Sequence, residues 1–172
     1  MGFPSTRLRR LRRSGRLRDL LAETHLQVSD LVAPLFVGEE ARGPVASMPG
    51  VVVHDLGSLA KETSRLAGVG VPAVLLFGVT AEKDSRGSGA WAPDGIVQRA
   101  LEALREEVGD SLVLMADLCL DEYTDHGHCG VLTASGEVDN DATLELYGRV
   151  AMAQAVAGAD LVAPSGMMDG QV

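Results

Sequence analysis

The chain has 172 residues, 46% hydrophobic and 23% charged, a composition typical of a folded globular domain or part of one. No apolar run approaches the roughly 20 residues that cross a bilayer, and the N-terminus lacks the apolar segment of a secretory signal, so a cytoplasmic protein without a membrane partner is predicted. Two cysteines are too few for a disulfide framework and are expected to be thiols or metal ligands.

Residues 1–25 are predicted to form a basic N-terminal arm. The first 19 residues hold seven arginines and a single acid, Asp19. Residues 20–172 hold 8 basic and 23 acidic side chains, a net charge of −15. The arm has one aromatic residue, Phe3, for stacking on bases, so no nucleic-acid partner is expected. A transit peptide is one alternative. Docking on the acidic surface of a neighbouring subunit is favoured, because the charges are opposite.

After the arm, short apolar runs alternate with longer segments of helical period, which is typical of βα units around a parallel sheet. The first strand is predicted at Leu31–Val37 and its helix at Leu56–Ala67, where the apolar residues share one helical face. The second strand is predicted at Pro72–Phe77. A long polar loop over residues 80–88 follows it and leads to a helix capped near Asp94.

The third strand, predicted at Ser111–Leu118, is hydrophobic enough to be covered on both faces. Its helix is predicted to begin at Asn140 or Asp141, and the fourth strand at Asp160–Pro164. Four βα units make half of a (β/α)8 barrel, which typically needs about 250 residues. The predicted fold is therefore α/β, with residues 26–172 forming the N-terminal half of a TIM barrel. An open flavodoxin-like sheet is the alternative.

The segment Asp117–Gly130 follows the third predicted strand, and the ends of barrel strands face the active site. It is dense in side chains that can bind a metal: Asp117, Cys119, Asp121, Asp125, His126, His128 and Cys129. Its glycines allow a tight return that brings the second cysteine toward the first. The C-x9-C spacing is not a strong zinc-finger spacing, so a metal site and a pair of buried cysteines are equally compatible with it.

The same segment, DLCLDEYTDHGHCG, resembles the signature of the porphobilinogen synthase family, also called the 5-aminolevulinate dehydratases. Other runs stand in the family's order: LVAPLFV, SMPGV, VLLFGV, PDGIVQRAL, GEVDNDATLEL and VAPSGMMDG. The resemblance covers nearly the whole chain from about Arg9. It implies a homo-oligomeric (β/α)8 enzyme, usually an octamer, that condenses two molecules of 5-aminolevulinate into porphobilinogen with release of two waters, early in tetrapyrrole and haem synthesis. Arms in the family wrap neighbouring subunits, which supports the docking interpretation.

The resemblance assigns Cys119, Asp121 and Cys129 to the positions that hold a catalytic zinc in three-cysteine members of the family. Asp121 departs from that set. A carboxylate is a harder ligand than a thiolate, so zinc is expected to bind more weakly, and magnesium is the other candidate cation. The two histidines, His126 and His128, are expected to shape the loop without binding the metal directly; a direct bond from either histidine to the metal is the alternative.

The resemblance also assigns two candidate catalytic residues. Asp117 matches an active-site aspartate, where a carboxylate can exchange protons with a bound amine, and a structural acid at the strand end is the alternative. Ser165 matches an active-site serine. The aspartate that usually follows this serine is Gly166 here, so any role of that carboxylate is lost or moved.

The family's reaction runs through Schiff bases on lysines, which must be partly buried to be neutral at pH 7. The matching lysines lie beyond the C-terminal residue of this chain. Its own two lysines, Lys61 and Lys83, are predicted to be solvated. These 172 residues alone are therefore expected to lack dehydratase activity. The alternative is a non-catalytic metal-binding or assembly module derived from the same barrel.

Overall fold

The structure is a computed structural model that describes residues 2 and 4–172; Phe3, the aromatic residue of the arm, lies outside them. Four parallel strands lie side by side in chain order within a six-stranded sheet: β1 (Val32–Gly38), β4 (Ala73–Val79), β5 (Val113–Leu118) and β6 (Leu161–Pro164). Each begins and ends within two residues of its predicted bounds. The prediction of four strands of a parallel sheet is confirmed.

Three helices connect these strands: α2 (Leu56–Gly68), α3 (Ile96–Val108) and α4 (Asn140–Val156). An aspartate caps α2 and another caps α4. The Ser58 amide donates to the Asp55 carboxylate over 2.7 Å, and the Ala142 amide donates to the Asp139 carboxylate over 3.1 Å. The predicted helix starts at residues 56 and 140 are therefore confirmed, with the cap in each case one residue earlier.

The predicted cap at Asp94 is wrong, because the N-cap of α3 is Gly95 and no side chain accepts a hydrogen bond there. Gly95 packs closely on the preceding turn. A Cβ at this position would lie 2.7 Å from the carbonyl oxygen of Gly89. Backbone packing places the start of the helix here and leaves Asp94 exposed in front of it.

The helices α2, α3 and α4 lie on one face of the sheet. Each joins two neighbouring parallel strands in the same direction, and right-handed crossovers of that kind place every helix on the same side. In agreement, α3 contacts both α2 and α4. A flavodoxin-like sheet has helices on both faces, so that alternative is wrong. The arrangement is that of half a (β/α)8 barrel.

The main hydrophobic core fills the space between the sheet and the helices. Its fully buried members include Val37, Leu59, Val74, Leu76, Leu101, Leu104 and Leu114. They occupy alternate positions of the strands and one face of each helix. On the opposite face of the sheet, which corresponds to a barrel interior, the rings of Phe36 and Phe77 stack with their centroids 5.2 Å apart.

Two short strands were not predicted. β2 (Gly43–Pro44) and β3 (Val52–His54) pair antiparallel to each other between β1 and α2, and β3 also pairs in parallel with β1. The turn between them passes through Gly50, which has a φ of 86°. Strands of two and three residues are too short to show an alternating pattern in the sequence.

In the N-terminal arm, Leu8–Arg12 forms a short 3-10 helix and Gly15–Leu20 forms α1. Ser14 caps α1 by accepting a hydrogen bond from the Leu17 amide over 3.2 Å. Of the described residues up to 26, Leu17 is half-buried and the others are exposed. Across residues 2 and 4–172, no helix has the length and apolar character needed to span a membrane.

An ion pair anchors β6 at the edge of the sheet. The Asp160 carboxylate accepts a hydrogen bond from the Leu114 amide over 2.8 Å and lies 2.8 Å from the Arg105 guanidinium. The hydrogen bond from Leu114, and then the guanidinium, lower the pKa of Asp160. A lowered pKa adds stability above the unfolded-state value near 3.8, and that stability is lost as the pH falls through the folded-state pKa.

We therefore expect Asp160→Asn to lower the free energy of unfolding at pH 7, and we expect the difference from wild type to shrink by pH 3. Urea unfolding at the two pH values measures both effects. Asp110→Asn is the matched control, because Asp110 lies 3.5 Å from the same guanidinium but is fully exposed and should contribute little. An equal loss of stability at pH 7 and pH 3 would contradict the electrostatic explanation.

Candidate active site and metal centre

The carboxyl ends of β5 and β6 bring the two predicted catalytic side chains together. In the sheet Asp117 is the register partner of Ala163, and Ser165 directly follows β6. The Ser165 amide donates to the carbonyl of Leu118 over 3.3 Å, which holds the start of its loop against β5. The Ser165 side chain lies close enough to the Asp117 carboxylate to affect its pKa.

Asp117 is buried, with 8% of its surface exposed. Burial raises the pKa of this carboxyl group; the neighbouring Ser165 side chain opposes the shift, and the negative charge of Asp121 adds to it. A carboxyl group with a raised pKa takes up and releases a proton closer to neutral pH than a solvated one. The pair can therefore exchange a proton with a basic group placed at the strand ends.

The metal loop, residues 119–130, turns back on itself directly after β5. The Thr124 amide donates to the carbonyl of Leu120 over 2.8 Å, and the fully buried Thr124 hydroxyl donates to the carbonyl of His128 over 2.9 Å. Gly127 has a φ of 70°, in the left-handed region that glycine adopts without strain. The two ends of the loop therefore lie side by side.

This return brings together Cys119, Asp121 and Cys129, the candidate metal ligands that the sequence predicts. Their sulfur and carboxylate oxygen atoms all lie within 4.8 Å of one another, and in the described part of the chain no other such group forms. Cys119 is buried, and the other two residues are half-buried. Two sulfurs and one oxygen at this spacing fit a zinc-sized cation with one coordination position left for water or substrate.

The environment of the Cys119 thiol couples metal binding to pH. Burial is the largest of the causes that raise the pKa of Cys119 to about 12; the Asp121 backbone opposes the rise, and the side chains of Asp121 and Cys129 contribute to it. A metal binds the thiolate, so binding at Cys119 must release a proton. The affinity of the group for a cation should therefore rise with pH.

The two histidines of the metal loop bind the backbone. The Nδ1 atom of His126 accepts a hydrogen bond from the His128 amide over 3.1 Å, so its proton is on Nε2, which faces the carbonyl of Ser85 at 3.3 Å. The Nδ1 atom of His128 accepts from the Gly130 amide over 3.1 Å. Both side chains are exposed and stand outside the ligand group, as expected of residues that shape the loop.

Sequence reasoning missed Glu122, which lies within the same cluster of carboxylates. Burial raises the pKa of Glu122 to about 8, and the negative charges of Asp117 and Asp121 contribute to the shift. A backbone hydrogen bond at Gly78 opposes it. The sequence contained a signal for this residue, since the three acids Asp117, Asp121 and Glu122 lie within six residues at the end of a strand and must interact.

Sequence reasoning also missed Tyr147, which reaches the metal loop from α4. Its hydroxyl donates to the carbonyl of Cys129 over 2.9 Å and lies 3.9 Å from the sulfur of Cys119. Its helical spacing identifies it as a core residue and does not indicate what it contacts. By contrast, the two lysines stand as predicted, with Lys61 on α2 and Lys83 in the loop after β4, both exposed.

Residues 5–172 match the family model for delta-aminolevulinic acid dehydratase. A delta-aminolevulinic acid dehydratase from Streptomyces coelicolor is 52% identical over 99% of this chain and 53% of its own length. One from Mycobacterium tuberculosis is 49% identical over 99% of the chain and 53% of its own length. The chain thus spans about half the length of the curated relatives it matches.

A solved structure gives the same result for the fold. The delta-aminolevulinic acid dehydratase (porphobilinogen synthase) of Toxoplasma gondii, in complex with the reaction product porphobilinogen, matches with a TM-score of 0.91 and 37% identity. The match covers 96% of this chain and 48% of that one. The sequence resemblance and the half-barrel fold are both confirmed, and the chain belongs to the delta-aminolevulinic acid dehydratase family.

Proposed function

We propose that this chain acts as the N-terminal half of a porphobilinogen synthase, a lyase that condenses two molecules of 5-aminolevulinate into porphobilinogen with loss of two waters. The observation that carries this proposal is the meeting of Asp117, Ser165 and the Cys-Asp-Cys group at one end of the parallel sheet. In barrel enzymes the active site lies at the carboxyl ends of the strands. The names of the relatives support the same reaction.

In this proposal Asp117 exchanges a proton with the amine of a bound 5-aminolevulinate, and the neighbouring Ser165 side chain stabilises the charged form of the carboxyl group. Burial supports the first role, because it raises the pKa of Asp117. The covalent step on a lysine is assigned to the other half of the barrel. Both lysines of this chain are exposed and lack the buried environment that a neutral amine needs.

Cys119, Asp121 and Cys129 are proposed to hold a zinc ion. A bound zinc would act there as a Lewis acid that polarises a substrate oxygen. The spacing of the three ligand atoms fits this ion, and the two sulfurs favour it over harder cations. The Asp121 oxygen weakens that preference, and magnesium is the competing cation.

The proposal includes self-association in the cytoplasm, with an octamer as the family's usual form. The arm, residues 1–25, is proposed to dock on the acidic surface of a neighbouring subunit, while residues 26–172 form the partial barrel. Exposure supports this: Leu8, Leu20 and Leu21 extend from the arm into solvent among its arginines. The net charge of −15 on residues 20–172 supplies the complementary surface. No nucleic-acid or membrane partner is proposed.

A chimera tests the function. Residues 1–172 would be joined to the C-terminal half of the Streptomyces coelicolor relative, and porphobilinogen formation from 5-aminolevulinate would be measured. We expect the chimera to form product and Asp117→Asn in the chimera to lose roughly 100-fold or more in rate, the scale of a general acid–base contribution. A folded chimera without activity, beside an active intact relative, would contradict the proposal.

The chimera also separates this proposal from a second candidate, a non-catalytic metal-binding or assembly module, and the 172-residue chain by itself tests where the covalent step lies. Lys61 and Lys83 are exposed, so incubation with 5-aminolevulinate and borohydride should leave the mass of the chain unchanged, and no porphobilinogen should form. A module that binds metal without taking part in the reaction would leave the chimera inactive as well. A lysine adduct together with product from the 172 residues would show that the covalent step was wrongly assigned to the other half.

A further inference from the structure

Tyr147 connects both cysteines of the metal loop to a helix. Its side chain is buried, with 4% of its surface exposed, in a second hydrophobic cluster with Leu118, Leu146 and Val150. From there the hydroxyl reaches the carbonyl of Cys129 at 2.9 Å and the sulfur of Cys119 at 3.9 Å. One hydroxyl thus spans the two ends of the loop that must meet for a cation to bind.

Two other side chains on α4 hydrogen-bond the backbone on either side of the metal loop. Thr143 lies one turn before Tyr147, and its hydroxyl accepts a hydrogen bond from the Val131 amide over 3.1 Å. Gln154 lies two turns after Tyr147, and its amide donates to the carbonyl of Asp117 over 2.6 Å. Residues spaced by four and seven positions share one helical face. This face of α4 therefore binds the backbone at the end of β5 and along the return of the metal loop.

Gly166, in the loop after β6, makes room for Tyr147. A Cβ at this position would overlap the tyrosine hydroxyl and lie 2.6 Å from Cζ and 3.0 Å from Cε2 of the ring. Met167, the next residue, has a φ of 58°, a left-handed conformation uncommon for a residue with a side chain. The loop that carries Ser165 therefore runs directly over the tyrosine hydroxyl.

We propose that Tyr147 is a positioning residue that fixes the carbonyl of Cys129 beside Cys119 and joins the metal loop to the Ser165 loop, with Gly166 as the position that admits it. The inference rests on the metal centre proposed above. It assigns to a helix residue the task of keeping the two sulfurs within ligand distance. It also means that a displacement of the Ser165 loop displaces the metal loop, because both contact Tyr147.

The test is a titration of the metal-free 172-residue chain with cobalt(II), followed by the absorption bands of cobalt bound to thiolate. We expect Tyr147→Phe to raise the cobalt dissociation constant roughly tenfold and to alter the bands, because outer residues that orient metal ligands typically contribute 10- to 100-fold in affinity. Gly166→Ala should also raise the cobalt dissociation constant, although this residue lies outside the metal loop. Its added methyl group displaces the ring.

Tyr123→Phe is the matched control. Tyr123 is also buried and belongs to the same cluster. It lies within the metal loop but supplies no candidate ligand, and its hydroxyl lies beside Gly78 on β4, so removal of that hydroxyl should leave the cobalt affinity unchanged. Circular dichroism confirms that each variant folds. The rate at which a thiol reagent labels Cys129 in metal-free protein gives a second measurement. This labelling rate should rise in Tyr147→Phe and stay unchanged in Tyr123→Phe.

The outcomes separate the two proposals. A wild-type chain without cobalt–thiolate bands would overturn the metal centre and this inference together. Normal bands in the wild type with equal affinities and labelling rates for Tyr147→Phe and Tyr123→Phe would overturn the role of Tyr147 alone. Reduced stability of Tyr147→Phe with unchanged cobalt affinity would show a packing role and would also overturn it.

Discussion

Cys119→Ala and Cys129→Ala should each lower the affinity of the chain for zinc by roughly 100-fold or more, since removing a ligand costs more than the 10- to 100-fold typical of residues that only orient one. The three ligand atoms lie within 4.8 Å of one another, so loss of either sulfur leaves one thiolate and one carboxylate. Bound zinc measured by elemental analysis after gel filtration, with calorimetric titration for affinity, gives the result.

Asp125→Asn is the control for this experiment, because Asp125 is an exposed acid of the same loop outside the ligand group. It should bind zinc as the wild type does. Asp121→Cys should bind zinc more tightly than the wild type and respond less to magnesium, because sulfur is the softer ligand. Equal zinc content in the wild type and in both alanine variants would remove the proposed site.

Gly166→Ala should destabilise the chain by about 1–3 kcal/mol, the usual cost of forcing extra volume into a packed site. The new Cβ would meet the ring of Tyr147, which is buried and has little room to move. For a chain of this size each kcal/mol corresponds to roughly 2–4 °C in Tm. Thermal and urea unfolding in the presence of a chelator measure the effect on the fold separately from any effect of metal.

Gly148→Ala is the matched control, with an expected effect of opposite sign. Gly148 follows Tyr147 on α4, and a Cβ there would have nothing within 4 Å. Replacing glycine by alanine inside a helix stabilises it by about 0.5–1 kcal/mol. If Gly166→Ala were as stable as the wild type, the ring of Tyr147 would have to be mobile, and the close packing of the two loops would be disproved.

Local pattern was sufficient for the four parallel strands, for their helices and for the loop that holds the candidate ligands. The four parallel strands and the three helices between them could be located within two residues because a covered strand and an amphipathic helix each leave a hydrophobic period in consecutive residues. The candidate ligands, from Asp117 to Cys129, could be found because a single loop supplies nearly all of them. The choice of Cys119, Asp121 and Cys129 among these candidates, and the assignment of Ser165, came from the family resemblance alone.

Only the tertiary structure showed which residues from outside the metal loop contact it. It placed Tyr147 on the carbonyl of Cys129 and left room for that side chain at Gly166, across separations of 18 and 19 residues. It also moved the start of α3 past Asp94, where close backbone contact at Gly95 sets the first turn. Sequence period reports which face of an element is buried; the partner on that face depends on how helices and loops meet in three dimensions.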